Sequence, residues 1–391
     1  MSWVRADLAF LLILLAAGLM RVELARTPSY IHDEENTSIP LARQISFEPG
    51  NRYLPLRAVN HPALPAYFVK AGSTLLGPTP FGYRAGHVVA GLLAVVLVYL
   101  LARQAYGAWA GCWAAALLAF NEYFLTISSR ATAHAPYLLF VTAALYAFSR
   151  CLMTGRSFYL YLAGGAAGLA FYCKEHAVLL LPALFLTLLL PRHRHWLRRP
   201  HPYLACAVFA MLIAPDVLWN LAADPEVDRV TYGNRDQAQA TYASHLKRIG
   251  GIGFSPYPFA FYAHEPVVAA YQWVTGRPFD DNTPEYRPMN PAVGVLLLAA
   301  VLVTSVRPAP ADPLRGLLLL AFWCTFGFFM LISRGDSPGL DPVSWIWVDA
   351  TMVPAAVVAG ARLAAARGSW RPALWLGVGL AVAYAGVRVL Y

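Results

Sequence analysis

The sequence predicts an all-α polytopic membrane protein with about eleven transmembrane helices and interface helices in its first long loop. Three observations lead there. Hydrophobic residues make up 58% of the chain and charged residues only 13%, with a mean hydropathy of +0.50. Apolar runs long enough to cross roughly 30 Å of hydrocarbon recur along it. The polar residues concentrate in two long stretches, residues 23–82 and 222–290. One transmembrane domain over residues 1–391 accounts for the whole pattern, with both long stretches as outer loops of it.

Taken in order, residues 1–5 and the apolar run 8–22 fit either a signal peptide or a first span. Ala16-Ala17-Gly18 is a weak cleavage site, and the topology below works only if the segment is kept, so a retained helix is expected. The stretch 23–82 is too polar to span and too apolar to be disordered. It holds two helix-like pieces. One covers 34–45, with Asp33 placed as N-cap and Pro40 interrupting it. The other covers 62–76, opened by proline and ended by Gly77-Pro78. Leu64, Tyr67, Phe68, Ala71 and Leu75 share one face of it, as a helix lying in the membrane interface requires. Apolar runs follow at 83–101, 111–127, 137–152, 158–173, 177–190 and 203–221. After the second polar stretch come 291–306, 314–332, 350–366 and 372–390.

Short-loop charge sets the orientation. Arg5, Arg103, Arg150, Arg156, Arg192, Arg194, Arg198, Arg199, Arg307, Arg315, Arg362, Arg367 and Arg371 fall on one side. The opposite short loops hold little beyond Arg130, Lys174 and Arg334. By the positive-inside rule the arginine-rich side and the N-terminus are cytoplasmic. Both long loops, His134 and Lys174-Glu175-His176 then face outward.

The outward segments carry the chemistry. Tyr30-Ile31-His32-Asp33-Glu34-Glu35-Asn36 is conspicuous in so apolar a chain. Its carboxylates stand beside cations at Arg57, Arg84, Arg130 and Lys174, and beside His61, His134, Tyr257, His264 and Glu265. A carboxylate within reach of an acceptor hydroxyl can act as general base, and cations opposite can steady a departing phosphate. The residues alone also admit a plainer reading. Asp33–Glu35 could be a solvated helix cap, Arg84 a snorkelling cation, Lys174 a partner of Glu175, and the histidines hydrogen-bonded loop residues. The aromatic residues Tyr232, Tyr242, Tyr257, Tyr262, Tyr271 and Trp273 in the second loop fit either a cover over the site or a folded cap.

Other classes are set aside. The net charge of +9 comes with no basic helix or RNA-type aromatic motif. The five cysteines lie in or beside apolar runs without CxxC spacing and read as small buried residues. HxxxH, HExxH and calcium-loop patterns are missing, so no cofactor is implied and a divalent metal stays open, and no Walker loop or GxGxxG follows a strand. A transporter or flippase of lipid-linked substrates stays open as a rival, although it would want midplane charges and an internal repeat. A catalytically inactive assembly factor is a second rival.

The order of motifs resembles the GT-C glycosyltransferases, in particular the protein O-mannosyltransferase and ArnT-like group. The matching segments are His32-Asp33-Glu34 after the first span, Asn60-His61-Pro62-Ala63-Leu64, Phe81-Gly82-Tyr83-Arg84, Tyr99 to Gly107, Ser128-Ser129-Arg130 through Pro136-Tyr137, and Gly168-Leu169-Ala170 through Lys174. They cover roughly residues 1–190. The resemblance implies an inverting transferase of the bacterial inner membrane, working on the periplasmic or outer face. It would move a hexosyl or pentosyl group from a polyprenyl-phosphate sugar to a glycan, lipid or protein acceptor. Asp33 would be the base, supported by Glu34; Arg84, Lys174, Arg130 and Arg57 would meet the donor phosphate; His61, His134, Tyr257, His264 and Glu265 would meet the substrate or acceptor. Departures from the family pattern occur at Asn60, Ala63, Ala133-His134 and Trp347-Val348-Asp349. The chain is also expected to end near its last span, without the soluble outer domain of larger relatives.

Overall fold

The computed structural model describes residues 2–57, 62–222, 229–232, 235–238, 251–252, 257–275, 289–307, 312, 314–333 and 348–366. Its helices are α1 (Ser2–Ala25), α2 (Ile39–Gln44), α3 (Leu64–Leu76), α4 (Pro80–Tyr106), α5 (Ala108–Ala119), α6 (Glu122–Ser128), α7 (His134–Thr154), α8 (Phe158–Phe171), α9 (Leu180–Leu189) and α10 (His201–Ala222). They continue with α11 (Tyr257–Tyr262), α12 (His264–Thr275), α13 (Pro291–Val306), α14 (Arg315–Leu331) and α15 (Met352–Ala365). The second polar stretch adds a small hairpin, Arg229–Tyr232 against Arg235–Ala238, and a two-residue pairing of Gly251–Ile252 with Ile332–Ser333.

The expected count of about eleven spans is not met. Among the described residues five helices are long and apolar enough to cross a membrane: Arg5–Ala25, Pro80–Tyr106, His134–Thr154, His201–Leu221 and Val348–Ala365. A sixth follows only if Ala108–Ala119 and Glu122–Ser128, bent by 69°, count as one span. Apolar composition outran helix length. The run 111–127 breaks where Asn121 accepts from Phe124 N and starts a new helix. Helices Phe158–Phe171, Pro291–Val306 and Arg315–Leu331 have 14, 16 and 17 residues. At 1.5 Å per residue they rise only about 21–25 Å, short of the roughly 30 Å of hydrocarbon. The run 372–390 lies outside the described residues.

α1 belongs to the bundle. Ala6, Phe10 and Ala17 are buried, and Phe10 stacks on Tyr99 of α4 with ring centroids 3.8 Å apart. Leu8, Leu11, Leu12, Leu15 and Leu19 are exposed, the outward face that lipid would cover. α3 lies tightly on α4 because glycines let the backbones meet. A Cβ at Gly72 would stand 2.4 Å from Gly82 O, and one at Gly86 would stand 2.4 Å from Phe68 O, the small-residue contact that closely packed membrane helices use. Pro65, Ala66 and Val69 of α3 are buried while Leu75 and Leu76 are exposed.

The chain's polar contacts divide between two ends of the bundle. At one end Arg103 pairs with Asp7 at 2.9 Å, Tyr106 donates to Asp312 at 2.7 Å and Arg362 donates to Thr304 at 3.0 Å. At the other end lie the C-termini of α1, α8 and α10, the N-termini of α4, α7 and α15, and the loop that carries the acidic cluster. The site is built there.

A candidate active site at one end of the bundle

The acidic cluster is shaped by Pro40. A proline inside an α-helix has no N–H to donate and its ring crowds the carbonyl four residues back, here that of Asn36. The chain widens instead into a π-helical turn over Glu34–Ser38, with the Ile39 amide donating to Glu34 O, before α2 begins. Such turns are rare and often sit at functional positions. Asp33 precedes the turn with helical backbone (φ −63, ψ −33), and its carboxylate does not cap it.

Glu34 is fully buried and serves as an anchor. Arg84 Nε donates to Glu34 Oε1 at 2.6 Å and Nη2 to Oε2 at 2.8 Å. The Ala131 and Ile31 amides donate to the same carboxylate at 2.8 and 3.1 Å. Arg84, equally buried, turns its other N–H groups to Ala25 O, Thr27 O and Ser29 O at 3.2, 2.6 and 2.6 Å, and lies over the Tyr30 ring at 5.0 Å. Every face of this guanidinium is occupied by protein. Arg130 adds a second cation 3.6 Å from Glu34.

Arg57 is also enclosed. Its Nη2 is 2.6 Å from Glu175 and its Nη1 2.9 Å from Asp216 on α10. Burial alone would depress this guanidinium, but Glu175 and Asp216 hold it above its ordinary value. The cluster ties the first loop to α10 and to the 3₁₀ turn Glu175–Leu179.

Between these anchors lies a pocket lined by Asp33, Thr37, Ser38, Pro65, His134 and Lys174 among others. Lys174, just past α8, is buried. Its Nζ is 3.5 Å from Asp349 Oδ2, 3.0 Å from His134 Nδ1 and 5.6 Å above the Tyr137 ring. His134 opens α7, and its Nδ1 is 2.7 Å from Asp349 Oδ2 and 3.0 Å from the Tyr123 hydroxyl. Nδ1 stands among a carboxylate that can only accept, an ammonium that can only donate and a hydroxyl that can do either, so the three partners compete for it. Burial pulls the Lys174 ammonium below the usual lysine value, opposed by Asp349, Asp33 and Glu175. The pocket therefore offers a carboxylate facing an ammonium and an imidazole, a set able to take up a proton and hold an anion.

Of the residues singled out in the sequence, Asp33, His134 and Lys174 meet in this pocket. Glu34, Arg84 and Arg130 form the anchor beside it, and Arg57 stands in the Glu175–Asp216 cluster. His264 and Glu265 begin α12, the latter exposed, and neither is in the pocket lining; Tyr257 is the first residue of α11. His61 lies outside the described residues. In the second loop, Phe261 packs edge-on against Tyr123 at 5.0 Å and Tyr262 shares a 2.6 Å hydrogen bond with Thr351, so α11 belongs to the core, whereas Trp273 is exposed. Sequence reasoning missed Asp349, Tyr123 and Asp216 as members of these clusters. The available signal was a lone acid at the edge of an apolar run, which applies to Asp349 and Asp216.

Comparison with known proteins supplies the fold's relatives. The dolichyl-phosphate-mannose-protein mannosyltransferase family matches over residues 60–219. The structure of ArnT from Cupriavidus metallidurans bound to undecaprenyl phosphate aligns with a TM-score of 0.64 at 17% identity, over 95% of this chain and 63% of that one. An oligosaccharyltransferase from Archaeoglobus fulgidus, in complex with zinc and sulfate, aligns with a TM-score of 0.51 at 15% identity, over 97% of this chain and 51% of that one. An uncharacterized protein of Aquifex aeolicus (strain VF5) is 29% identical over 126 residues, 32% of this chain and 25% of the relative. The chain thus spans under two thirds of each of these relatives. At these identities the likeness is one of fold, which the chain shares with the ArnT structure over 95% of its own length.

Proposed function

We propose that the chain is a membrane glycosyltransferase that moves a sugar from a polyprenyl-phosphate donor to an acceptor at the outer face of a bacterial inner membrane. One observation carries the reading: Asp33 and Lys174, 141 residues apart in sequence, line one pocket at the end of a GT-C bundle. Asp33 takes the acceptor's proton as that oxygen or nitrogen attacks the anomeric carbon. The bond from that carbon to the phosphate oxygen breaks, and its electrons leave with the polyprenyl phosphate. Lys174 stabilises the charge that gathers there. A single in-line displacement inverts the anomeric centre. Glu34 and Arg84 hold the loop that presents Asp33 and make no contact with the reacting groups.

The placement of arginines supports the orientation. Arg103, Arg315 and Arg362 gather at the end of the bundle away from the pocket, as the positive-inside rule asks of a cytoplasmic face. The test is transfer of labelled sugar from polyprenyl-phosphate donors by purified protein, compared with Asp33→Asn. Transfer by the wild type and its loss in a folded variant supports the reading. Uptake without transfer points to transport, and equal transfer by both proteins refutes the base.

A further inference from the structure

We propose that Asp349 is a positioning residue of this pocket: its buried carboxylate, bonded to His134 and facing Lys174, keeps the lysine charged and directed at an anionic phosphate group. The inference rests on the function proposed above and adds a residue to it.

Asp349 is fully buried and precedes α15, where rigid packing fixes it. A Cβ at Gly360 would stand 2.6 Å from Ala110 O, so α15 lies directly on α5, and Tyr262 pins the adjacent Thr351. Among the described residues Asp349 is the one ion-pair partner of Lys174. The other acids near the ammonium are differently placed. Glu175 is 2.6 Å from Arg57, and Asp33 is half-buried on the pocket wall. Among the described residues His134, Tyr123, Tyr137, Cys173 and His176 also face this pair and bring no negative charge at neutral pH.

The geometry also leaves Lys174 usable. At 3.5 Å the contact with Asp349 is long for a charge-assisted hydrogen bond, while His134 takes the shorter one at 2.7 Å. Asp349 thus compensates the buried ammonium without occupying all three of its donors. Its Oδ1 has no hydrogen-bond partner among the described residues. A buried ammonium without a counter-charge would shed its proton and lose its attraction for phosphate.

The chain has three lysines, Lys70, Lys174 and Lys247, so the charge on Lys174 can be read directly. Acylation of the full-length protein by acetic anhydride across a pH series, quantified by peptide mass spectrometry, gives each lysine's titration midpoint, with Lys70 as internal reference. Asp349→Gln and Asp349→Glu add the same methylene and differ in charge. With glutamine the Lys174 midpoint should fall further below that of Lys70, making Lys174 roughly tenfold more reactive relative to it at a fixed mildly alkaline pH, the effect of losing one nearby opposite charge. With glutamate it should stay near the wild-type value. A purely structural role would loosen the pocket and move the midpoint up toward Lys70, and that result, or no movement, overturns the inference. Undecaprenyl phosphate binding is the second arm, expected about tenfold weaker for Asp349→Gln in the same alkaline range. A wild type that binds none of this lipid overturns the functional reading and the purpose given to the charge; an unmoved midpoint overturns the inference alone.

Discussion

Glu34→Ala tests how the acidic loop is held. The carboxylate accepts two bonds from Arg84 and one each from the Ala131 and Ile31 amides. Removing it leaves a fully buried guanidinium with only neutral partners, the Ala25, Thr27 and Ser29 carbonyls, the Thr27 hydroxyl and the Tyr30 ring. Taking away one member of a buried ion pair costs about 3–5 kcal/mol, a large share of the roughly 5–15 kcal/mol that separates folded from unfolded protein. The Ala131 amide loses its acceptor as well, so the upper half of that range is expected. Unfolding in mixed micelles with increasing SDS measures it. Arg84→Met leaves Glu34 with Arg130 at 3.6 Å as its cation, and the double variant should cost less than the two singles combined, by up to about 3 kcal/mol. A Glu34→Ala protein within about 1 kcal/mol of wild type, or strictly additive variants, would refute the anchor.

Asp33→Asn should lose at least about 100-fold in transfer rate in a protein that still folds, because this carboxylate does not cap its turn. Arg57→Met removes the cation that Glu175 and Asp216 share and should destabilise by about 3–5 kcal/mol in the same unfolding assay. Lys174, held below the usual lysine value by burial, gives two opposed pH trends. Donor binding is full below its folded-state pKa and falls as pH rises through it. Its contribution to stability runs the other way, since the unfolded chain binds the extra proton between the folded and unfolded values and stability rises across that window. Binding and unfolding measured over one alkaline series check both signs, and Lys174→Arg should abolish both trends. Gly72→Val, whose added Cβ would meet Gly82 O, should push α3 off α4 and lower stability by about 1–3 kcal/mol.

Much of the site could be read in the sequence, and what escaped has physical reasons. The acidic cluster, the helix at α3 and the spans at α1, α4 and α7 are local signals, carried by run length, proline and glycine. Span number is not local, because apolar stretches such as 158–173 satisfy a composition test while their helices stop short. Residue type also cannot separate a cation that meets a ligand from one neutralised by a distant acid. Arg84 meets Glu34 fifty positions away, and Arg57 meets Asp216 across 159. Lys174 alone of the four proposed phosphate-binding cations lines the pocket, and its partner Asp349 stands 175 residues downstream, where a lone acid at the edge of an apolar run does not say which cation it meets.

The most direct measurement is a cryo-EM map of the protein with a polyprenyl phosphate bound. The phosphate should lie within hydrogen-bond reach of Lys174 Nζ, in the pocket that Asp33 faces. Lipid phosphate density beside another part of the bundle, with the Asp33–Lys174 pocket holding none, would contradict it.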